Sequence, residues 1–363
     1  MRPPPGRTPS HAHGPAARSS GAGRRSGRPH RRRPGRPAPS DRPARPRDRR
    51  RSPEPRAFCA SEPTPFLPLS AVACREHTGF RSPRGALARG DLPSRRAAWY
   101  LRPVFDPRGK LIGVLHLPPL PGAPRPWPPM PVLLEAVARD ARLLAEGGID
   151  AVLVENFGDA PFEKGPVAPH TVACMTACVL AARQACGLPV GVNVLRNDAA
   201  AALGIAVAAS AEFIRVNVHV GVRVTDQGLI EGAADRSLRL RAALAWTVAI
   251  LADVDVKHSG PLSPRPIDDE AVETAERGLA DGLIITGPST GAPMDRAAAL
   301  AVKRRVRCPV LAGSGVTTET VAATLGLVDG VIVGSDLCAG GQAGAPLERG
   351  RIEAFVRAAR GAS

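Results

Sequence analysis

The 363-residue sequence predicts a single (β/α)8 barrel of the TIM type over residues 101–363, preceded by a disordered tail over residues 1–100. Three observations carry that expectation. Beyond residue 110, short apolar runs alternate with longer amphipathic ones, giving eight strand–helix units in roughly 250 residues, the count and length of a closed barrel. The turn after the first apolar run reads LHLPPLPGAP, so the GxGxxG opening of a dinucleotide-binding open sheet is missing. Finally, the formal charge of +16 is confined to one end: residues 1–100 hold 23 Lys and Arg against 6 Asp and Glu, leaving 26 against 27 for the rest.

The tail is rich in Arg, Pro, Gly and Ser and has too little apolar surface to offset the entropy of ordering. Its Arg clusters fit a nucleic-acid or membrane-surface arm. A transit peptide is the second reading, although the prolines oppose an amphipathic helix. The preferred third reading is an upstream segment translated from too early a start, since no methionine follows Met1 until Met130 and a start near Leu101 or Val104 is easily missed. Nucleic acid is not an expected partner of the near-neutral remainder. No signal-type apolar region and no apolar run of transmembrane length occurs, so a cytoplasmic protein is expected. Its seven cysteines form no CxxC or Cys/His cluster, and Cys174 and Cys178 read as packing residues on a shared helix face.

The predicted strands are 111–117, 151–156, 189–195, 212–218, 250–258, 282–286, 309–313 and 330–334. The predicted helices are 132–146, 169–186, 198–208, 236–247, 268–278, 295–306, 317–325 and 350–359. N-caps are expected at Asp198 (or Asn197), Asp268, Asp295 and Thr317 or Thr318. Several helices end in glycine and hand over to an Asp-based joint reading IDAV, ADGL or VDGV, which belongs to the stability face of a barrel. The stretch VRVTDQGLIEG, after the fourth strand, alternates around Asp226-Gln227-Gly228 and predicts a hairpin lid, its acids Asp226 and Glu231 being ordinary loop residues.

Active sites of such barrels lie where the strands end, and these strand ends are polar. His116 ends strand 1, Glu155 and Asn156 end strand 2, and Asn193 and Arg196 follow strand 3. Period-two alternation puts Arg215 with Asn217, and Asp253 with Asp255 and Lys257, on lumen faces; His258 and Thr286 stand at the next two strand ends. Burying these groups is costly unless they are paired, for example Arg215 with Asp253, or meet a ligand. The loops after strands 7 and 8 read Gly313-Ser314-Gly315 and Gly334-Ser335, where backbone N–H groups can hold a phosphate.

The strings LIGVLHLPPLPGAP, VENFGDAPF, GVNVLRND, FIRVNVHVG with TDQGLIEG, ADVDVKH, and LAGSGVT with VIVGS resemble the BtpA/SgcQ family over roughly residues 104–358. The resemblance implies a phosphate-binding barrel. It leaves the reaction open, one member being tied to photosystem I biogenesis and another to nucleosidase activity. The expected function is an enzyme on a phosphorylated sugar or nucleoside-like molecule, of hydrolase, lyase or isomerase type. Its catalytic set would be Glu155, Asp253 and Lys257, with Glu155 and Asp253 as acid and base. Asp253 and Asp255 are expected to keep Lys257 protonated. His116, Asn156, Asn193, Arg196, Arg215, Asn217, His258 and Thr286 would bind substrate. The alternative is a non-catalytic assembly factor peripheral to a membrane complex. No cofactor fingerprint is present, no metal-ligand cluster stands out, a divalent metal on Asp residues stays open, and so does a homo-oligomer.

Overall fold

The computed structural model describes residues 105–244, 247–287 and 292–361. The predicted tail, its alternative starts and two of the seven cysteines lie outside the described residues.

Eight parallel strands close into the predicted barrel. In chain order the elements are β1 (Leu111–His116), α1 (Met130–Glu146), β2 (Ala151–Glu155), α2 (Pro169–Cys186), β3 (Val190–Asn193), α3 (Ala199–Ala209) and β4 (Phe213–Val216). The hairpin β5 (Val222–Thr225) and β6 (Gly228–Glu231) follows, then α4 (Ala234–Ala243), β7 (Ala249–Val254), β8 (Ser259–Pro261) and α5 (Ile267–Val272). The chain ends with β9 (Gly282–Ile285), α6 (Arg296–Arg305), β10 (Val310–Ala312), α7 (Val321–Leu325), β11 (Gly330–Val333) and α8 (Arg349–Arg360). Around the barrel the order is β1-β11-β10-β9-β7-β4-β3-β2.

Alternation sorts the core into two shells. Lumen-facing Ile112, Val114, Ala151, Leu153, Phe213, Ala249, Leu251, Ile284, Leu311 and Ile332 form one buried cluster. The residues between them pack outward against the helices in a larger one. Phe105 stacks on Phe213 with ring centroids 4.4 Å apart, and Gly191 leaves room for that ring, since a Cβ there would lie 2.1 Å from it.

The Asp-based joints resolve into a repeated device at the N-terminal face. An N–H at the start of every second strand, the first residue's except in β7, where it is the second's, donates to an acid at the head of its neighbour: Leu111 to Asp150, Val190 to Glu212, Ile250 to Asp281 and Val310 to Asp329, each at 2.8 Å. Each acid also meets a cation from a helix, namely Arg360, Arg183, Arg241 and Lys303 at 3.0, 2.6, 2.5 and 2.6 Å respectively. A strand's first donor would otherwise be buried without a partner.

Several boundaries differ from expectation. Strand 250–258 stops at Val254, because Asp255 and His258 take positive φ of 56° and 57° and the chain turns away. The residues just beyond the predicted strand form β8, which pairs with β5 to make the hairpin a three-stranded antiparallel sheet. Helix 236–247 is replaced by α4, with residues 245–246 outside the described residues. Helix 268–278 becomes α5 capped by Pro266, not Asp268, and continues as a π-turn over Glu273–Arg277. Helix 317–325 shortens to α7, because Thr317 and Thr320 close a turn on one another and Thr318 bonds to Asp336. Asp198 and Asp295 cap α3 and α6 as expected, accepting from Ala201 and Ala297.

Candidate functional site

Two residues beyond each apolar lumen position, the same alternation delivers the rim of the barrel. His116 follows Val114, Glu155 follows Leu153, Asn193 follows Gly191, Arg215 follows Phe213 and Asp253 follows Leu251. Thr286, Gly313 and Gly334 complete the ring after Ile284, Leu311 and Ile332. Eight sequence-predicted site residues therefore share one layer, six of them bearing polar side chains.

One side of that layer is saturated. Arg215 binds Asp253 through two bonds, Nε to Oδ2 at 3.0 Å and Nη2 to Oδ1 at 2.9 Å, with side-chain exposures of 3% and 0%. Asn217 donates to Asp253 Oδ2 at 2.9 Å, and Asn193 donates to Asn217 Oδ1 and to the Arg215 carbonyl, both at 3.1 Å. Asp253 is thus an acceptor for three donors, leaving it poorly placed to exchange protons. The expected acid/base pair of Glu155 and Asp253 is revised accordingly: Asp253 fixes Arg215 and Asn217.

The opposite side is unsaturated. Glu155 is 7% exposed and makes no ion pair among the described residues, and His116 Nδ1 is buried without a hydrogen-bond partner. Asn193 Oδ1 shares that condition. Glu155, Arg215 and Lys257 line two adjoining spaces. One is a narrow recess bounded by His116, Gly313–Gly315 and Gly334-Ser335. The other is a cleft of about 540 Å³ that adds Arg125, Phe157, Phe162, Arg196, Asn217, Asp226 and His258 to its walls, a volume fitting a small-molecule site.

Burial, followed by the Arg215 charge, pushes the Lys257 ammonium below the ordinary lysine range, against the pull of Glu155 and Asp253. Of the two aspartates expected to hold Lys257 protonated, Asp253 still favours the ammonium although it also binds Arg215, whereas Asp255 points out of the lumen to pair with Arg223 at 2.7 Å, its side chain 51% exposed. Burial likewise lowers His116 and His258.

The glycines of the recess have steric reasons. Gly315 sits at φ 65°, and a Cβ there would lie 2.1 Å from the Ala292 carbonyl oxygen. A Cβ on Gly334 would lie 2.6 Å from the His116 ring, so this glycine makes room for the imidazole. The Ser314 hydroxyl is committed elsewhere, accepting from Gly287 N–H at 2.8 Å and donating to the Ala292 carbonyl at 3.3 Å.

Other predicted binding residues serve the scaffold. Asn156 accepts from Leu195 N–H at 2.7 Å and donates to Asp159 at 2.9 Å, bracing the loops after β2 and β3 outside the cleft. Thr286 accepts from Lys257 N–H at 3.1 Å and donates to the Asp255 carbonyl at 3.3 Å, which holds the turn presenting Lys257. Arg125, Phe157, Phe162 and Asp226 escaped assignment, being isolated loop residues whose place at the cleft depends on non-local packing. Among the described residues no group of three or more His, Cys, Asp or Glu is arranged to hold a metal ion, and no helix is long and apolar enough to cross a membrane.

A (β/α)8 barrel with an apolar lumen floor, a polar rim layer and glycine-rich loops after its last two strands defines a rim-site barrel protein. The chain belongs to the BtpA family, which it matches over residues 108–361. It is 44% identical over 256 residues to the photosystem I biogenesis protein BtpA of Synechocystis, covering 70% of this chain and 89% of that one. A protein of Pyrococcus furiosus is 40% identical over 247 residues, covering 68% and 93%. Among solved structures, the thiamine phosphate pyrophosphorylase of Pyrococcus furiosus is similar in fold, at 16% identity and a TM-score of 0.45 over 69% of this chain and 96% of that one.

Proposed function

We propose that the chain is an enzyme acting on a small phosphorylated ligand, a sugar phosphate or nucleoside-like phosphate, at the C-terminal rim of the barrel. The observation that carries this reading is Glu155, a buried carboxylate without an ion pair, at the junction of recess and cleft beside the depressed Lys257. A fold gains nothing from an unpaired buried charge, and perturbed, unsatisfied groups in a cleft are the mark of a chemical site. In this reading the backbone N–H groups at Gly313–Gly315 and Gly334-Ser335 receive the phosphate. Glu155 exchanges the proton, while Lys257 contacts the developing anion or acts as base. Arg215 and Asn217, fixed by Asp253, orient the substrate's polar groups without reorganising.

The test is a thermal-shift panel of sugar phosphates, nucleosides and nucleotides, followed by turnover assays on any stabilising ligand. Glu155→Gln and Lys257→Met should unfold at or above the wild-type midpoint and lose turnover. If no compound stabilises the protein, or both variants behave as wild type, the enzyme reading fails. The name of the Synechocystis relative favours a second reading, an assembly factor peripheral to a membrane complex. That role predicts partner capture unaffected by both substitutions.

A further inference from the structure

Three arginines among the described residues are buried: Arg215 at 3% exposure, Arg223 at 6% and Arg196 at 5%. Arg215 is neutralised by Asp253, and Arg223 by Asp255 and Glu270. Arg196 has no such partner among the described residues. Its Nη2 donates to the Lys257 carbonyl at 2.8 Å, a neutral acceptor. Burial opposes its charge, which Asp253, Asp226 and Glu155 favour from a distance, but none of them contacts the guanidinium; Asp226, on the hairpin tip, also accepts from Gln227 Nε2 at 2.6 Å.

The guanidinium lines the wide cleft, whereas the glycine loops line only the recess, and Glu155 and Lys257 stand between them. A desolvated guanidinium with no carboxylate in contact is only partly compensated, and its planar fork matches a carboxylate or phosphate. Building on the phosphate site proposed above, we infer that the ligand is a two-headed anion, with a phosphate in the recess and a second oxyanion on Arg196. The bond acted upon then lies between the heads, next to Glu155. This excludes ligands that are neutral beyond their phosphate, such as simple sugar monophosphates.

Inorganic phosphate is the probe, followed through the unfolding midpoint of the full chain, with the basic tail common to every variant. Each saturable site adds its own logarithmic rise with concentration. Wild type should show the slope of two sites; Arg196→Gln and Ser335→Asp, which sets a carboxylate in the recess, should each halve it, and the double variant should abolish it. A halved slope in Ser335→Asp with a wild-type slope in Arg196→Gln overturns the second head and leaves the phosphate site standing. A loss in Arg196→Gln alone overturns the two-headed ligand and the recess as phosphate site together, as does a flat wild-type response. If Arg196→Gln does not fold, phosphate-soaked crystals of the wild type decide: density on the Arg196 fork supports the inference, and an empty fork beside an occupied recess overturns it.

Discussion

Asp253→Asn is the substitution that best separates scaffold from chemistry at the rim. The carboxylate accepts three hydrogen bonds, from Arg215 Nε, Arg215 Nη2 and Asn217 Nδ2, at 3.0, 2.9 and 2.9 Å. An asparagine can offer one oxygen. If that oxygen takes the Oδ2 place, its amide nitrogen faces Arg215 Nη2, donor against donor. If it takes the Oδ1 place, two donors are left facing a third. Either way the fully buried guanidinium loses its counter-charge, and breaking a buried pair from one side costs about 3–5 kcal/mol.

That is a large part of the roughly 5–15 kcal/mol that holds a domain together. With a urea slope near 3 kcal/mol/M, as expected for a large domain, the midpoint should fall by about 1 to 1.7 M. The assay is equilibrium urea unfolding followed by circular dichroism. Its companion is Arg215→Met with Asp253→Leu, which removes both charges and should recover most of the loss. A cost below about 1 kcal/mol for Asp253→Asn, or a double variant no better than the single, would show that the pair is solvated and that Asp253 is free for proton transfer.

Two further outcomes follow from the same geometry. Asp329→Ala strands the Val310 N–H and should cost about 1–3 kcal/mol by urea unfolding, while the partly exposed Lys303 pair adds less; any change in phosphate response would contradict its assignment to the stability face. Burial lowers His219, whose Nε2 meets the Gly278 carbonyl at 2.9 Å and whose Nδ1 is buried without a partner. The unfolded chain therefore binds that proton more readily than the folded one, and stability must fall as pH drops from the ordinary histidine range through the lowered value. His219→Asn should flatten the decline in unfolding midpoint between pH 7 and 5, and an unchanged decline would refute the assignment.

Much of this arrangement was legible in the sequence because one rule produces it. A strand that alternates places its last polar residue on the face its apolar residues have already filled, so His116, Glu155, Asn193, Arg215 and Asp253 could be assigned to the lumen from parity alone. The Arg215–Asp253 pairing was accessible the same way, from two opposite charges on the lumen faces of adjacent strands, Asp253 standing two residues beyond Leu251, the register partner of Arg215. Parity fails where the strand stops. Nothing in DVDVKH announces the positive φ at Asp255, so the predicted strand runs four residues past Val254 and the alternation puts Asp255 in the lumen. β8 escaped because three residues pairing with a hairpin have no periodicity to read. The Arg196 charge was visible and its position on the rim loop correct, but the absence of a counter-ion is a property of everything around it.

The two ends of the barrel treat charge in opposite ways, and the contrast bears on why the rim residues are there. At the base, four acids each satisfy a strand N–H and meet a helix cation, so every charge has a structural use. At the rim, one buried pair is saturated to the last oxygen, while Glu155 and Arg196 are buried beside it without an ion pair among the described residues. Stability alone does not produce that combination, because apolar residues at either position would relieve the desolvation cost. Nor does a generic surface, since surface charges stay hydrated. The combination is the one the proposed site requires: charges open to a ligand, beside a pair whose own charges are already spent.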